Sequence, residues 1–435
     1  MKRQLACVAA SSALLLSLYA CSSDSDGGGA ADAGADPGEG GSRGGDGAPL
    51  PDGALADGQV ISDGGGDSAL ADARIDAPVD AGPPAVRFIG RFDTAPAAGP
   101  KVAYPGASIV ARFMGTEVKA TFEDVALFSP ETGANRWEVS IDGTPTTTLQ
   151  LDRTQPTTYT LATALPNAAH TVELYKLTEG SVGTSQFEGF DFSGGTLLPP
   201  PLPATRHLQF LGDSASNGYG IEGVAPCSFT AATENERKAY PALTAKDLLA
   251  DHHSVIASGK GIVQNYTRPP VDTDFFGVIY QRTNVATFVG VTPSALWDYT
   301  RYSPDVVWIT LGGNDYDKPT PDPTGAPALA TFQAKYEELV ATVRTQHPSA
   351  HVFCAVAPSL NDTYPAGYNA YSNVKAGVKG VVAARAGAGD TKVYFFEFTR
   401  SAAGDLTGCG AHPNTAKHRA MADEAIVAIK ARTGW

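Results

Sequence analysis

The sequence has little positive charge and no long apolar run, and each shortage excludes a class of protein. Its 435 residues include 32 Lys and Arg against 46 Asp and Glu, which gives a net charge of −14. Because nucleic-acid partners require clustered basic side chains, this balance argues against a nucleic-acid-binding protein. No apolar stretch reaches the roughly 18 residues of a transmembrane helix. Hydrophobic residues make up 43%, enough for most of the chain to fold as a water-soluble globule.

One segment lacks aromatic residues altogether. Residues 22–85 contain 13 acidic residues, 2 arginines and 16 of the 47 glycines, but no Phe, Trp or Tyr. Such a composition cannot bury enough apolar surface to offset the conformational entropy lost on folding, so we predict a disordered, extended tether. The 350 residues from Val86 to Trp435 remain, which is enough for one large domain or two of ordinary size.

The start of the chain has the pattern of a bacterial export signal. Two basic residues precede a 16-residue apolar run, residues 5–20, that is too short to span a bilayer. Leu18–Cys21 resembles a lipobox, in which Cys21 becomes the lipidated first residue. We therefore predict a lipoprotein signal peptide over residues 1–20 and a lipid-anchored tether over residues 21–85, with a plain signal peptide as the alternative. The expected location is the cell envelope (the outer membrane or cell surface) or the medium, with membrane contact only through this lipid.

Cysteine is also scarce, with 5 in the chain. Once Cys21 is the anchor, the mature protein keeps Cys227, Cys354 and Cys409, an odd number for an oxidising compartment. Cys354 lies within an apolar run, residues 351–357, and is expected to be an inert core thiol. Cys227 and Cys409 lie in polar loops with neighbouring Gly or Pro. They are the expected disulfide pair, with two separate thiols as the alternative.

Short alternating segments separated by Gly, Pro and Asp occupy residues 86–196. They are Val86–Phe92, Ser108–Phe113, Val118–Phe122, Trp137–Ile141 and Thr171–Tyr175. Regular short strands without helical stretches predict an all-β sandwich of the jelly-roll type. A Pro-rich stretch, residues 197–204, follows as a stiff linker.

After the linker, from residue 205 to residue 435, near-continuous apolar runs alternate with helical patterns. The apolar runs are His207–Asp213, Ser254–Gly259, Asp305–Gly312, His351–Pro358 and Lys392–Phe398. The candidate helices are Glu234–His252, interrupted at Pro241, Leu329–Gln346, Tyr371–Ala386 and Thr415–Thr433. This alternation predicts a three-layer α/β domain with a parallel five-stranded sheet. In such sheets the active site lies beyond the carboxyl ends of the strands.

Residues with catalytic chemistry stand at these strand ends. The first apolar run ends in Gly-Asp-Ser at Ser214, the second is followed by Gly259, and the third leads to Gly-Gly-Asn-Asp at Asn314. His412 precedes the last helix. A serine in this position exposes its hydroxyl, and a histidine can act as its general base.

These four pieces, in this order, resemble the blocks of the SGNH (GDSL-like) hydrolases. The longer segments around these blocks are similar to carbohydrate esterase family two, a group of two-domain acetyl esterases of plant polysaccharides. That likeness rests on Gly212–Gly220, Phe229–Asn235, Ser258–Gly261 and the preceding jelly-roll domain. It covers nearly all of residues 86–435.

The resemblance implies a serine esterase that removes O-acetyl groups from carbohydrate through an acyl-enzyme. Ser214 would attack the ester carbonyl and His412 would take its proton. The backbone N–H groups of Ser214 and Gly259, together with the Asn314 amide, would hold the oxyanion. Two rival readings are a lipase or thioesterase for longer acyl chains and a carbohydrate-binding lipoprotein with a vestigial site.

The chain departs from the SGNH pattern beside the histidine. These enzymes usually carry an Asp two or three residues before it, where this sequence has Gly410 and Cys409. Some members of the resembled family work with a Ser-His dyad in which a backbone carbonyl holds the imidazole. We predict that arrangement here, with the Gly410 carbonyl orienting His412 and Asp405 as the rival orienter. Asp315 is expected to have a structural role, bonding backbone near the site.

Other residues have weaker assignments. Trp297, Tyr316 and Lys260 are possible substrate contacts, with packing or solvation as the alternative. The remaining histidines show no metal-ligand spacing, so we expect neither a metal nor another cofactor. The protein is expected to act as a monomer on acetylated carbohydrate.

Overall fold

The computed structural model of the protein describes residues 85–126, 133–267, 274–285, 294–317, 322 and 324–435. The predicted signal peptide, Cys21 and nearly all of the tether lie outside these ranges, so these assignments stay predictions. The described residues belong to one compact unit. None of the helices within them is long and apolar enough to cross a membrane.

The first region consists of two antiparallel sheets. Its strands are β1 (Arg87–Ile89), β2 (Lys101–Val102), β3 (Ser108–Gly115), β4 (Val118–Ala126), β5 (Arg136–Ile141), β6 (Thr144–Gln150), β7 (Thr157–Ala162), β8 (Ala168–Lys176), β9 (Gly183–Asp191) and β10 (Thr196–Leu198). One sheet has the order β1-β3-β8-β5-β6, with β10 also on β3, and the other the order β2-β9-β4-β7. A shared core around Trp137, Phe122 and Phe187 lies between them because alternate side chains point inward. The predicted antiparallel β domain is confirmed.

Some strands of this domain carry no clear sequence signal. In β6 only Leu149 is buried, and the strand is rich in exposed Thr and contains Pro145, so the apolar alternation is missing. The predicted linker of residues 197–204 begins inside a strand, because Leu197 and Leu198 of β10 pair with β3. The sandwich sheet therefore extends two residues beyond its predicted end.

The second region is built on a parallel sheet of five strands. They are β11 (His207–Gly212), β12 (Asp251–Ile256), β13 (Val306–Thr310), β14 (His351–Val356) and β15 (Val393–Glu397). Their order in the sheet is β12-β11-β13-β14-β15. The helices are α1 (Tyr240–Asp247), α2 (Phe276–Ile279), α3 (Leu329–Gln346), α4 (Ala370–Gly387) and α5 (Thr415–Thr433).

Helices cover both faces of this sheet, as β13 illustrates. Val306 and Trp308 point into a core with α1 and α5, whereas Val307 and Ile309 point into a core with α2, α3 and α4. A strand buried on both faces is apolar throughout, which is why its sequence shows a continuous run. The predicted three-layer α/β domain is confirmed, and α3, α4 and α5 lie where the helical patterns predict them.

The predicted helix Glu234–His252 is wrong in its extent. The chain forms a 3₁₀ turn over Glu236–Lys238, then the short α1, and Leu249 takes a left-handed φ of 52° that ends the helical stretch. Strand β12 follows at once. The second predicted strand, Ser254–Gly259, accordingly starts three residues earlier and ends at Ile256.

Candidate active site

The four predicted residues of the hydrolase blocks meet at the carboxyl edge of the parallel sheet. Ser214 follows β11, Gly259 follows β12, Asn314 follows β13, and His412 precedes α5. All four line one cleft with a volume of about 570 Å³. Because Glu179 of the sandwich also lines it, both domains shape this cleft.

Ser214 lies on a tight turn that leaves it half-buried. The Asp213 carboxylate accepts a hydrogen bond from the Ala215 amide at 3.0 Å. The backbone carbonyl of Asp213 accepts one from the Ser216 amide at 2.9 Å. Gly212 has to be a glycine, because a Cβ there would come within 2.4 Å of Ser216 Oγ. The turn therefore carries the serine hydroxyl into the cleft on rigid backbone.

The Gly259 peptide is fixed from both sides. The preceding amide, Ser258 N–H, donates to Glu179 Oε2 at 2.7 Å, and the Gly259 carbonyl accepts from the Tyr266 amide at 2.7 Å. Ser258 Oγ also accepts a bond from Asn217 Nδ2 at 3.0 Å. The left-handed φ of 76° requires glycine at this position.

Asn314 is held by the residues around it. Its Nδ2 donates to the Lys260 carbonyl at 3.0 Å and to Asp213 Oδ2 at 3.2 Å. Burial raises the pKa of Asp213 to about 7, and the nearby carboxylate of Asp315 adds to the shift. Asp213 thus orients the amide that lies beside Ser214.

Asp315 has a structural role, as its turn position suggested. Its buried carboxylate accepts from the backbone amides of Ile262, Val263 and Gln264, at 2.6 Å for Val263. Three convergent N–H groups make a strong anion cradle. The aspartate thereby anchors the loop that follows Gly259.

His412 Nδ1 lies 3.1 Å from the Gly410 carbonyl oxygen and 3.2 Å from that of Cys409. Both neighbours can only accept, so Nδ1 carries the hydrogen and Nε2 is the basic nitrogen. Burial lowers the pKa of His412 below its ordinary value of 6.5, and the two carbonyls offset part of that shift. The Asp405 carboxylate instead accepts from the Ala402 amide at 2.9 Å. The Gly410 carbonyl thus lies within hydrogen-bond distance of the imidazole, whereas the Asp405 carboxylate bonds within its own turn.

An aromatic stack supports the imidazole. The Tyr219 ring lies 4.3 Å from the His412 ring and 4.3 Å from the Phe229 ring, centroid to centroid. Such stacks contribute about 0.5–1.5 kcal/mol beyond burial. The ring of Tyr219 therefore fixes the tilt of an imidazole that has no carboxylate partner among the described residues.

Replacing Tyr219 tests this support. Tyr219→Leu should lower kcat on aryl acetate roughly two- to tenfold, because the stacking energy restrains the imidazole. Tyr219→Phe keeps the ring and is the matched control. Steady-state kinetics on both variants decide the point, and equal losses in the two would contradict stacking as the cause.

The loop that follows the nucleophile is tied to the histidine loop. Cys227 and Cys409, the pair expected from the sequence, form a disulfide with 4.7 Å between Cα atoms. Backbone bonds reinforce it, from the Ala225 amide to the Thr407 carbonyl at 2.8 Å and from the Gly410 amide to the Cys227 carbonyl at 3.1 Å. Cys354 is a buried thiol, and burial raises its pKa to about 12.

Removing the disulfide should affect both stability and catalysis. In Cys227→Ser/Cys409→Ser we expect a lower Tm, since a native disulfide contributes about 2–4 kcal/mol. We also expect kcat/KM to fall roughly ten- to a hundredfold, because displacement of a catalytic group by about 1 Å can cost that much. Thermal unfolding and kinetics measure the two effects. A double variant with wild-type kcat/KM would show that the backbone bonds alone hold His412.

Of the three predicted substrate contacts, Trp297 and Lys260 do not line the cleft, whereas Tyr316 lines a neighbouring cavity that also contains Ser214, Asn314 and His412. Trp297 is 5% exposed and lies between two guanidinium groups, those of Arg91 and Arg301, near the amino-terminal edge of the sheet. Tyr316 is fully buried against Phe332. Lys260 is 2% exposed, and its carbonyl accepts a hydrogen bond from Asn314 Nδ2. Cation–π contacts cover the ring of Trp297, and the ring of Phe332 packs against Tyr316.

Other residues line the cleft that the motifs did not single out. They are Glu179, Ser181, Tyr219, Phe229, Ser258, Tyr266 and Asp317. Tyr219 and Phe229 stand within the segments that carry the family resemblance, which was a usable signal. Glu179 lies between β8 and β9 of the sandwich, and nothing in its local sequence points to a distant site. Across the described ranges no group of His, Cys, Asp and Glu has the geometry to hold a metal ion.

This arrangement is that of the GDSL-like hydrolases, which place a serine, a glycine, an asparagine and a histidine after the strands of a parallel sheet. Residues 210–420 match the family model of the GDSL-like lipase/acylhydrolase family, and residues 88–201 match that of the carbohydrate esterase 2 N-terminal domain. The solved structure of a family two carbohydrate esterase from Clostridium thermocellum, in complex with cellohexaose, is 33% identical with a TM-score of 0.69. It covers 81% of this chain and 100% of its own. The chain belongs to family two of the carbohydrate esterases.

Curated relatives agree with this assignment. The cellulase/esterase CelE of Acetivibrio thermocellus is 34% identical over 353 residues, which are 81% of this chain and 40% of that protein. The acetylxylan esterase / glucomannan deacetylase of Cellvibrio japonicus is 27% identical over 359 residues, 82% of this chain and 91% of that protein. The chain thus spans less than half the length of the first relative and most of the second.

Proposed function

We propose that the protein is an exported serine esterase that removes acetyl groups from carbohydrate with Ser214 and His412 as a catalytic dyad. The observation that carries the proposal is the pair of backbone carbonyls in contact with His412 Nδ1. Two backbone carbonyls hold Nδ1–H and leave Nε2 as the basic atom, in the same cleft as Ser214. The predicted signal peptide and Cys21 extend the proposal to a lipid-anchored location at the cell envelope.

In the first step, Ser214 Oγ attacks the ester carbonyl carbon while its proton passes to His412 Nε2. The carbonyl oxygen becomes an oxyanion held by the amides of Ser214 and Gly259. Asn314 Nδ2, which Asp213 and the Lys260 carbonyl hold beside Ser214, is the third proposed donor to this oxygen. Each such donor contributes about 2.7–4 kcal/mol in the transition state.

In the second step, the tetrahedral intermediate collapses. His412 gives its proton to the departing sugar oxygen, and the acyl group stays on Ser214 as an ester. A water molecule then attacks this ester with His412 again as the base, and acetate and free Ser214 result. Both steps therefore require that the His412 imidazole is neutral before Ser214 or water attacks.

This requirement sets the pH dependence. Since burial lowers the pKa of His412 below 6.5, the neutral base persists to lower pH than for an exposed histidine. We expect kcat/KM to be on a plateau at neutral pH and to fall on the acid side with an apparent pKa below 6.5. A pH–rate profile on aryl acetate measures it, and an apparent pKa above 7 would contradict it. Asp213 is a second group that titrates in this range, because burial raises its pKa to about 7. The isosteric Asp213→Asn variant removes that group, so it should retain the acid-side fall in kcat/KM if His412 causes it.

The cleft walls favour a carbohydrate substrate. Tyr219, Phe229 and Tyr266, which is 44% exposed, offer ring faces, and Glu179 and Ser181 offer polar groups. Sugar rings combine apolar faces with hydroxyl edges, which suits such a surface. The relatives, among them an acetylxylan esterase / glucomannan deacetylase, support the same substrate class.

Acetate release from acetylated glucomannan and acetylated xylan by the full-length protein tests the proposal. We expect acetate to appear at a rate proportional to enzyme, and chemically deacetylated polymer to give none. Hydrolysis of aryl acetate with no acetate release from any acetylated glycan would support a serine esterase but contradict a carbohydrate substrate. Lack of activity on both would favour the vestigial, carbohydrate-binding reading.

A further inference from the structure

The segment between β8 and β9 of the sandwich, residues 177–182, contacts the α/β domain on two sides. The Glu179 amide donates a hydrogen bond to Glu234 Oε2 at 3.1 Å, before α1. Glu179 Oε2 accepts one from the Ser258 amide at 2.7 Å, in the loop after β12. That loop carries Gly259, whose N–H is a proposed oxyanion donor, so a sandwich carboxylate lies one residue away from a group of the reaction.

The Glu179 carboxylate is buried and accepts two hydrogen bonds. It is 1% exposed, and its other oxygen, Oε1, accepts from the Ser181 hydroxyl at 2.7 Å. Burial raises the pKa of Glu179, whereas the bonds from Ser258 and Ser181 and the buried Lys176 ammonium group oppose that shift. Burial and the Glu179 charge raise the pKa of Glu234 well above its ordinary value. Of the two carboxyl groups Glu234 therefore takes up a proton first, and Glu179 keeps its charge.

Three hydrogen bonds hold the backbone that carries the Gly259 N–H. Besides the bond from the Ser258 amide to Glu179, Ser258 Oγ accepts from Asn217 Nδ2 at 3.0 Å, and the Gly259 carbonyl accepts from the Tyr266 amide at 2.7 Å. Asn217 and the Tyr266 amide are neutral, whereas Glu179 is charged. Charge-assisted hydrogen bonds are roughly twice as strong as neutral ones. Glu179 therefore supplies the strongest of the three bonds.

We propose that Glu179 is a positioning residue for the esterase reaction, which holds the Gly259 N–H in the direction of the developing oxyanion. The ester oxygen gains its negative charge only in the transition state, so a misaligned donor costs more there than in the bound substrate. Glu179 thus contributes to kcat and little to KM. This inference rests on the proposed serine-esterase function and deepens it by adding a sandwich residue to the oxyanion site.

Replacement of Glu179 in the full-length protein tests the proposal. On p-nitrophenyl acetate, Glu179→Ala should lower kcat roughly ten- to a hundredfold, because displacement of a reacting group by about 1 Å costs about that much. KM should stay within about twofold, since acylation and deacylation both pass through an oxyanion and slow down together. Glu179→Gln retains an oxygen acceptor for the Ser258 amide, so its kcat should lie within about fivefold of the wild type.

Glu138→Ala is the matched control. Glu138 of β5 accepts from Arg237 Nε at 3.1 Å, an ion pair between the same two domains in which neither residue lines the cleft. This variant weakens domain contact without touching the loop after β12, and it should keep the wild-type kcat.

Inhibition by phenylboronic acid adds a measurement that a purely structural role would not change. Ser214 Oγ forms a bond to boron, its proton passes to His412 Nε2, and the tetrahedral anion places an oxygen at the oxyanion position. The inhibition constant should rise in Glu179→Ala by the factor by which kcat/KM falls, and it should stay at the wild-type value in Glu138→Ala.

Three results would overturn the proposal. They are a wild-type kcat in Glu179→Ala, a loss in that variant confined to KM, and a kcat in Glu179→Gln above the wild type, which would show that repulsion between carboxylate and oxyanion outweighs orientation. If Glu179→Ala does not fold, Glu179→Asp decides, because it keeps the charge but withdraws the carboxylate by about 1.5 Å, the length of one C–C bond. An unchanged kcat there rejects the proposal. No hydrolysis of aryl acetate by the wild type would reject the proposed function and this inference with it.

Discussion

Ser214→Ala should abolish ester hydrolysis while the protein remains folded. The substitution removes the only oxygen that the proposed mechanism uses to form the acyl-enzyme, and loss of such a nucleophile lowers kcat by roughly 10⁴- to 10⁶-fold. Folding should be unaffected, because the side chain is half-buried on a turn whose backbone bonds involve Asp213 and the amides of Ala215 and Ser216. Turnover of aryl acetate and the Tm are the measurements.

Ser216→Ala is the matched control for that experiment. It makes the same change on the same turn but removes only a 3.3 Å contact with the Tyr240 hydroxyl. Such a loss costs about 1 kcal/mol of stability and leaves the reacting atoms in place. Wild-type turnover in Ser214→Ala would overturn the assignment of the nucleophile and with it the proposed mechanism.

His412→Ala should lower kcat/KM by several orders of magnitude, whereas Asp405→Ala should lower it less than tenfold. The difference follows from the contacts of the two side chains. His412 presents Nε2 as the base and has backbone carbonyls at Nδ1, while the Asp405 carboxylate bonds to the Ala402 amide in its own 3₁₀ turn. Loss of that turn bond weakens the loop without removing a group from the cleft.

Kinetics on aryl acetate compare the two variants directly. Asp405→Asn retains an oxygen acceptor for the Ala402 amide and should lie closer to the wild type than Asp405→Ala. A defect in Asp405→Ala as deep as in His412→Ala would mean that the carboxylate swings to the imidazole when substrate binds, and a triad would replace the dyad.

The sequence predicts the sheet and the four residues after its strands because both depend on local patterns. Buried parallel strands are continuous apolar runs, and the carboxyl ends of such strands meet at one edge. Ser214, Gly259 and Asn314 follow such strands, and the resemblance to the SGNH hydrolases predicts that His412 joins them in one site. The proposed role of the Gly410 carbonyl rests on the missing acid before His412 and on the resemblance to a family in which some members use a backbone carbonyl.

What the sequence does not reveal depends on contacts between distant segments. Trp297 has the residue type of a sugar platform, but Arg91, 206 positions earlier in the chain, covers one side of its ring. Glu234 and Glu236 have polar character typical of an exposed helix, yet both are buried against the sandwich, where Tyr175 bonds to Glu236. Local patterns carry no information on such partners, so these assignments required the fold.

The bond between Glu179 and the Ser258 amide has a consequence for how this architecture can change over time. A sandwich that merely tethered the enzyme to its substrate could be exchanged between proteins like a detachable module. Here a carboxylate from the sandwich accepts the Ser258 N–H, so the peptide that precedes Gly259, a proposed oxyanion donor, loses this bond unless both domains are present. A graft of the α/β half alone would lack that support, which favours inheritance of the two halves together.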